Sequence, residues 1–428
     1  MASLQYSNDN WLGEVPAHWP VVPSKSLFTN PVERNHGDDI HLTPSQKFGV
    51  IPQSEYMEIT GSRVVLNLSG ADNMRHVEPG DFVSHLRSFQ GGLEYSPYQG
   101  KVSSAYTVLR PKRQLEPRFY KYLFKSGRYV QGLATTTEQL RDGQSIRYQQ
   151  FSLLPLPYPP IEEQRAIANF LDRELGQIDL LIEREQQLLA TLGLRRQALI
   201  TSCVTKGLDS DTDMYHSGVS WLGNIPKHWN LTPLKYLVGL NVTTLSDGTP
   251  DDFEFNYIEI SDVTKEAGVS TWSRQRFDDA PSRARRRVEP GDVLVSTVRT
   301  YLRAVGMVPP ENEVPFIAST GFAALSPKKI AADFLNFALT AEHFVSQVEA
   351  ASTGISYPAI NASDLVSISI PVPPAHEQEE IASYLKEKLA KLDELVSASS
   401  RAIDLLRERK STLISAAVTG KIEVRGNN

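Results

Sequence analysis

Cysteine is nearly missing from this chain: Cys203 is the one thiol in 428 residues. That excludes an internal disulfide framework and a cysteine-rich zinc site. Cys203 falls near the end of a helical stretch and reads as a small buried residue. No apolar run reaches the roughly 18 residues that a membrane span needs, and no basic-plus-apolar signal opens the sequence. Neither membrane insertion nor secretion is expected, and a reducing cytoplasm fits. Positive charge is not in excess either. Lys and Arg number 44 against 50 Asp and Glu, a net charge of −6, which argues against a generic nucleic-acid coat.

Catalytic signatures are also absent. Gly100-Lys101 and Gly420-Lys421 are followed by Val102 and Ile422, so no phosphate-binding Gly-x-x-x-x-Gly-Lys-Ser/Thr occurs. No Gly-x-Gly-x-x-Gly follows a strand, the nine histidines show no His-Glu-x-x-His spacing, and Gly-x-Ser-x-Gly is missing. Glu162 and Glu163 begin a helix, where carboxylates meet the positive end of its dipole, and this accounts for the pair without an active site. No catalytic residue and no metal site is expected.

What is present is a duplication. Trp11-Leu-Gly-Glu-Val-Pro-Ala-His-Trp19 returns 210 positions later as Trp221-Leu-Gly-Asn-Ile-Pro-Lys-His-Trp229, with six of nine residues identical. Glu78-Pro-Gly-Asp81 returns as Glu289-Pro-Gly-Asp292, an offset of 211. Pro159-Pro-Ile-Glu-Glu-Gln164 returns as Pro373-Pro-Ala-His-Glu-Gln378, an offset of 214 that then holds through Val204-Thr205 and Val418-Thr419. Small insertions therefore fall in the first part of each copy, and the last part is a rigid element of fixed length. The period is too long for a solenoid, so two domain-sized units are predicted. His18 and His228, set between Pro and Trp in both copies, read as packing residues.

Each copy has two parts. The first, about 1–157 and 211–370, mixes strand-like runs with turns: Val64–Leu68, Asp81–Leu86, Tyr257–Ile260 and Asp292–Ser296. Glu-Pro-Gly-Asp is a turn directly before a strand in both. Single helical stretches follow at Pro117–Tyr129 and Ala331–Ala350. The second part, about 161–203 and 375–417, opens after Pro-Pro and contains no further proline. Apolar residues at spacings of three and four make it a long amphipathic helix. Forty residues span roughly 60 Å. By pseudo-symmetry the two helices lie antiparallel as a coiled-coil spacer. The apolar stripes of these helices include Leu171, Ile178, Leu181, Leu192, Leu385, Leu392, Leu395 and Leu406.

The net charge conceals a distribution. Residues 101–147 hold ten Lys/Arg against three Asp/Glu, and residues 281–303 hold six against two. Polar loops adjoin the predicted strands at Leu86–Gly92, Ala134–Tyr148, Ser296–Arg303 and Ala351–Asn361. Arg, Gln, Asn, Ser and Thr read base edges and fix phosphates, and aromatic side chains offer base contact. The candidates for DNA contact in the first copy are Arg87, Ser88, Phe89, Gln90, Lys101, Arg141, Gln144, Arg147 and Tyr148. In the second they are Arg285, Arg286, Arg299, Thr300, Tyr301, Arg303, Thr353, Ser356, Tyr357 and Asn361. An ordinary solvated face explains either basic stretch alone. Two at comparable places in a duplicated chain favour the binding reading.

The pattern resembles the specificity subunit of type I restriction–modification systems. The carriers are the Trp-Leu-Gly-x-x-Pro-x-His-Trp openings, Pro-Gly-Asp before a strand, and Pro-Pro-x-x-Glu-Gln opening a long helix that ends near Val-Thr. Arg87–Gly92 with Gly100–Val108, and Arg299 with Ala318-Ser-Thr-Gly-Phe322, look like two variants of the family's recognition domain. The resemblance implies an α+β chain: two α/β target recognition domains (1–157 and 211–370) separated by two long antiparallel coiled-coil helices (158–210, and 371–428 with the tail). It implies a non-catalytic subunit that reads a split double-stranded DNA sequence in the major groove, without cofactor of its own. Two methyltransferase subunits, binding S-adenosylmethionine and methylating adenine, would dock on the helices, with Leu171, Ile178, Leu181, Leu192, Leu385, Leu392, Leu395 and Leu406 as partner-docking positions. Motor–nuclease subunits using ATP and Mg would join them. A cytoplasmic, nucleoid-associated place in a bacterium or archaeon follows. Two other readings stay open on the residues alone: the DNA-reading subunit of a related restriction system with a different nuclease organisation, and a coiled-coil adaptor that binds protein rather than DNA.

Overall fold

A computed structural model of the chain describes residues 4–7, 11–62, 73–85, 91–136, 146–219, 221–310, 313–354 and 356–424. The predicted strand Val64–Leu68 lies outside them. The chain divides into two compact units, residues 1–186 with 401–428, and residues 187–400. Each long helix gives its N-terminal part to one unit and its C-terminal part to the other.

The two units share one frame. In the first, an antiparallel four-stranded sheet runs Phe28–Thr29, Val108–Pro111, Phe82–Val83, Glu94–Tyr95. In the second, the equivalent sheet runs Val238–Leu240, Phe322–Pro327, Val293–Ser296, Val305–Met307, in the same order. The Glu-Pro-Gly-Asp turn precedes the third strand in both. Gly80 and Gly291 take positive φ (99° and 89°), and the Asp81 and Asp292 carboxylates accept from the Glu78 and Glu289 amides at 2.8 and 3.0 Å. Both units also pair an early strand with one that leads into a long helix: Val21–Pro23 with Pro155–Pro157, and Asn230–Pro233 with Ser369–Val372.

Beyond this frame the units differ. The second carries a five-stranded mixed sheet, Thr243–Thr244, Ala284–Val288, Phe316–Ser319, Glu254–Ile258, Ser273–Arg276. The first has instead the hairpin Leu42–Ser45/Gly49–Pro52, the helix Gln53–Thr60 and the pair Arg75–Val77/Gly100–Val102. Their cores differ in kind. The first is aromatic, with Phe28 at ring-centroid distances of 5.3–5.8 Å from Phe82, Tyr120, Phe124 and Phe151. The second is mostly aliphatic around Phe334 and Phe344.

Each single helix expected before the spacer is in fact two. Pro117–Lys125 and Gly127–Ala134 break at Ser126, and Ala332–Thr340 and Glu342–Ala351 break at Ala341. Ser126 has extended ψ (139°), and its hydroxyl accepts from the Tyr129 amide, an N-cap that restarts the helix. Ala341 is likewise extended, ψ 147°. Apolar periodicity carries across such a break, so the pattern alone does not reveal it.

The long helices span Ile161–Lys206 and Ala375–Val418. In the first unit Ile167, Leu171, Leu175 and Ile178 share a core with Ala417 and Val418. In the second, Leu192, Ile200, Cys203 and Val204 share a core with Ile381, Leu385, Leu389 and Leu392. The start of one helix thus meets the end of the other, an antiparallel order. One ion pair occurs twice, related by the 214-residue offset: Asp179 with Lys410 at 2.6 Å, and Asp393 with Arg196 at 2.5 Å. The helix ends also enter their globules, because an apolar stripe this long needs cover along its whole length.

The repeated opening motif explains itself here. The Trp19 indole donates to Glu163 Oε2 at 2.8 Å, and His18 Nε2 lies 2.9 Å from Glu163 Oε1. Trp229 and His228 hold Glu377 in the same way, at 2.9 and 2.7 Å. The histidines are therefore hydrogen-bonding and half-exposed, not packing residues as the sequence suggests. The adjoining glutamine is buried: Gln164 donates to Pro159 O (2.7 Å) and accepts from the Glu116 amide (2.9 Å). Gln378 repeats this with Pro373 O and the Ala331 amide. At the other helix ends, Gly207 and Gly420 take left-handed φ of 79° and 70°. A Cβ on Gly420 would lie 2.4 Å from Pro16 and 3.0 Å from Trp19, and one on Gly207 would lie 3.3 Å from Trp229.

Replacing Glu163 by alanine leaves the buried Trp19 indole N–H without an acceptor. It should cost about 1–3 kcal/mol in urea denaturation followed by tryptophan fluorescence, with Glu163→Gln costing less. An unchanged midpoint for Glu163→Ala would remove the clasp from the list of stabilising contacts. A second prediction concerns His343, whose buried ring nitrogens find no partner among the described residues and whose pKa burial pushes down to about 4. The unfolded chain binds this proton below about pH 6.5, the folded chain only near 4. Stability should be complete above pH 6.5 and fall by up to about 3 kcal/mol as pH drops through that window. His343→Leu should flatten the loss; an identical pH profile in the variant would contradict the assignment.

Candidate nucleic-acid interface

In the second unit the two polar loops of the sequence reading come together. The strand Val293–Ser296 runs out into Thr297, whose amide and hydroxyl both donate to Gly321 O at 2.8 and 2.9 Å. Ile360 N in turn donates to Thr297 O (2.9 Å), Val298 bridges Ala359, and Thr353 and Ala359 exchange two bonds of 2.9 Å. Segments 297–303, 318–322 and 352–361 are thereby tied into one surface. Gly321 is fixed by close approach: a Cβ would lie 2.9 Å from Ile260 and 3.2 Å from Val298.

Arg299 and Arg303 both adopt φ of 52°, flanking a short 3₁₀ turn at Thr300–Leu302. With the same left-handed backbone, the two side chains enter different surroundings. Arg299 is exposed, its guanidinium 5.4 Å from the Tyr357 ring centroid, with no ion-pair partner among the described residues. A guanidinium stacked on a ring keeps its N–H edges outward, ready for a bidentate acceptor. Around it Tyr301, Thr353, Ser356, Tyr357 and Asn361 are exposed as well. Arg283 and Thr320, absent from the sequence-based set, adjoin this surface through the Thr320 N to Arg283 O bond at 2.8 Å. Their signal was available, since each lies in a stretch already singled out.

Other candidates have their polar atoms committed inside the fold. Arg303 is bidentate to Glu349 at 2.8 Å and also contacts Glu342 at 2.8 and 2.9 Å. Burial raises Glu342, but hydrogen bonds from Arg303 and Ser346 outweigh it and hold its pKa below the usual range. Thr300 is buried against Ser352 (2.8 Å), and Arg286 donates to Phe322 O (3.2 Å). Arg285 lies over Phe277, 4.7 Å from the ring centroid. In the first unit the Tyr148 hydroxyl donates to Phe28 O (3.0 Å), while Arg147 is exposed at a helix start. Lys101 sits half-buried on the strand Gly100–Val102. Arg87, Ser88, Phe89, Gln90, Arg141 and Gln144 lie outside the described residues.

The basic stretches are accordingly less positive than their counts. In 101–147, Arg110 pairs with Asp81 and Glu33, Arg118 with Glu116 and Asp172, and Lys125 with Glu94. In 281–303, Arg287 pairs with Glu289 and Arg303 with two glutamates. The docking positions need a similar correction. Leu171, Ile178, Leu192, Leu385 and Leu392 are buried within the chain, and Leu406 packs half-buried on the first core. Side chains that close an intramolecular seam present no area to a partner. Of the eight, Leu181 and Leu395 are exposed.

Residues 44–190 and 285–403 match the model of the type I restriction modification DNA specificity domain. The chain belongs to this family. It is similar to a putative type I restriction enzyme MjaX specificity subunit of Methanocaldococcus jannaschii, 24% identical over 444 residues and covering 98% of each chain. Among solved structures it is similar to a chain from work on complex assembly and conformational transition of the type I R-M system. That match has a TM-score of 0.72 at 17% identity and covers 95% of this chain and 99% of the other. The HsdS subunit from Thermoanaerobacter tengcongensis gives 0.51 at 18%, covering 95% and 98%. The chain is thus a DNA specificity subunit of the type I restriction–modification kind, a recognition protein and not itself an enzyme. No described helix of this specificity subunit is long and apolar enough to cross a membrane.

Arg303→Ala should strand Glu342 and Glu349 beside each other and cost about 2 kcal/mol in thermal or urea unfolding, with Arg303→Lys recovering little because an ammonium cannot reproduce the fork. Full stability in Arg303→Ala would return this arginine to the pool of candidate DNA contacts.

Proposed function

We propose that the surface formed by 297–303, 318–322 and 352–361 reads one half of a split double-stranded DNA target. The 86–92 and 134–148 loops of the first unit read the other half. The observation that carries this is the duplicated frame with unlike additions. The same sheet order, turn and helix clasp occur in both units, while the elements beside the polar loops differ. A common frame with two different polar surfaces suits two different half-sequences. Arg299, exposed and 5.4 Å from the Tyr357 ring centroid, is the strongest candidate for a bidentate base contact, worth about 1–3 kcal/mol of discrimination. Arg283, Tyr301, Thr353, Ser356 and Asn361 supply phosphate and further base contacts.

The long helices set the spacing between half-sites and carry two methyltransferase subunits. Exposed apolar side chains on them, Leu180, Leu181, Leu188 and Leu194 on the first and Leu395, Val396 and Leu405 on the second, support this role in place of the buried seam. The methyltransferase subunits bind S-adenosylmethionine, and motor–nuclease subunits using ATP and Mg complete the assembly in the cytoplasm, on the nucleoid.

Methylome sequencing of a host carrying the complete system tests the reading. A split motif should depend on this chain, and Arg299→Ala should relax or abolish recognition of the half read by residues 211–370 only. A continuous motif would overturn the proposal, as would equal loss at both halves in Arg299→Ala.

A further inference from the structure

We propose that Tyr357 is a specificity-determining positioning residue: its ring restrains Arg299 so that the guanidinium reads a guanine in the half-site met by residues 211–370. This deepens the DNA-reading assignment of the 297–303, 318–322 and 352–361 surface and rests on it. Both residues are exposed, and the guanidinium carbon lies over the ring, 5.4 Å from its centroid. Sequence reading placed each of them among the candidates and had no means of pairing them, since they come from loops 58 positions apart.

Backbone bonds on both sides of Arg299 bring the pair together. Val298 bridges Ala359, and the Thr300 amide donates to Pro358 O at 3.4 Å. Further out, Ile360 N donates to Thr297 O at 2.9 Å. The segment that carries the ring is closed on itself, because Thr353 and Ala359 exchange two bonds of 2.9 Å. Gly354 takes φ of 105°, and a Cβ there would lie 3.1 Å from Tyr357 O, so the loop turns back tightly on the residue that bears the ring. Pro358 fixes its own φ and disfavours the helical region at Tyr357. Arg299 is set from its own side by φ of 52° and by the bond from Leu302 N to Arg299 O, 2.9 Å. Both side chains therefore leave backbones that are tied to each other at neighbouring residues.

The chemistry of the contact decides what Arg299 reads. An aromatic face attracts the cation without taking up its N–H donors as a carboxylate does. Arg303 shows the alternative, with its donors spent on Glu342 and Glu349. The Arg299 side chain has no hydrogen-bond or ion-pair partner among the described residues. A guanidinium is a planar fork of donors with no acceptor. In the major groove guanine alone presents two neighbouring acceptors, O6 and N7; adenine sets a donor beside its acceptor, and thymine a methyl group. A fork restrained by a ring selects that pair of acceptors, whereas an arginine with its rotamers open settles on phosphate as readily. Arg283 is of the second kind: it is exposed on the same surface and lies over no ring among the described residues.

The test uses the full-length chain assembled with its methyltransferase subunits, and DNA duplexes bearing the split motif found by methylome sequencing. In the half-site disturbed by Arg299→Ala, exchanging one guanine for 7-deazaguanine, which lacks the N7 acceptor, should weaken binding by the parent about 10-fold. Arg299→Ala should bind the two duplexes alike. Tyr357→Leu should cut the 7-deazaguanine effect to about 2-fold or less, and Tyr357→Phe, which keeps the ring, should hold it near about 10-fold. Arg283→Ala should weaken both duplexes equally and lower the salt slope by about one. Parental preference for that guanine in Tyr357→Leu would overturn the proposal and leave Arg299 reading unaided. A half-site disturbed by Arg299→Ala yet insensitive to 7-deazaguanine at every position would overturn it too, with the surface still a DNA reader. Should Arg299→Ala disturb neither half-site, the DNA-reading assignment of the surface falls, and this inference with it.

Discussion

The structure depends on a carboxylate in the first turn of each long helix. Glu163 and Glu377 each take a tryptophan N–H and a histidine nitrogen from the motif that opens their own copy. The same tryptophan ring supports the far end of the other helix, through Gly420 on Trp19 and Gly207 on Trp229. One side chain thus fixes a helix start by hydrogen bonding and a helix end by shape. A negative charge at a helix N-terminus is already favourable. The indole adds direction, and the glycine allows the close approach. That is why these short motifs repeat so faithfully, although neither carries chemistry.

The clasp also explains the pattern of insertions. The buried glutamine that follows each clasping glutamate reaches back to the Pro-Pro carbonyl and across to the amide that starts the preceding helix pair. Strand, helix pair and spacer are locked around it. Length changes are tolerated away from this junction, where the five-stranded sheet of the second unit and the hairpin and helix of the first are added. The 214-residue offset is rigid because the antiparallel pair must keep Asp179 opposite Lys410 and Asp393 opposite Arg196. A one-residue slip would turn each seam away from its partner.

Much of this was legible in the residues. The offsets of 210, 211 and 214 mark the equivalent strands and helices, and Glu-Pro-Gly-Asp marks the turn. What was not legible was the use to which a side chain is put. Leu171 and Leu181 have the same apolar signal, but one closes the core and the other faces outward. A buried seam and an exposed apolar face cannot be separated by periodicity when a helix carries both. Breaks at Ser126 and Ala341 leave the apolar count undisturbed.

Arg299 and Arg303 show how local the decisive constraint is. They are four residues apart, share a φ of 52°, and belong to one basic run. The second helix of the pair, Glu342–Ala351, presents Glu342 and Glu349 to Arg303, and that guanidinium becomes a brace. Arg299 lies over the face of Tyr357, which attracts the cation without offering it an acceptor, and among the described residues it has no ion-pair partner. The difference between a braced and an open arginine is therefore set by the acceptors on a neighbouring element. Summing charge along the sequence cannot expose it. Arg303 pins the far end of that turn to the globule, which would hold the turn still beneath Arg299 if Arg299 reads a base as proposed.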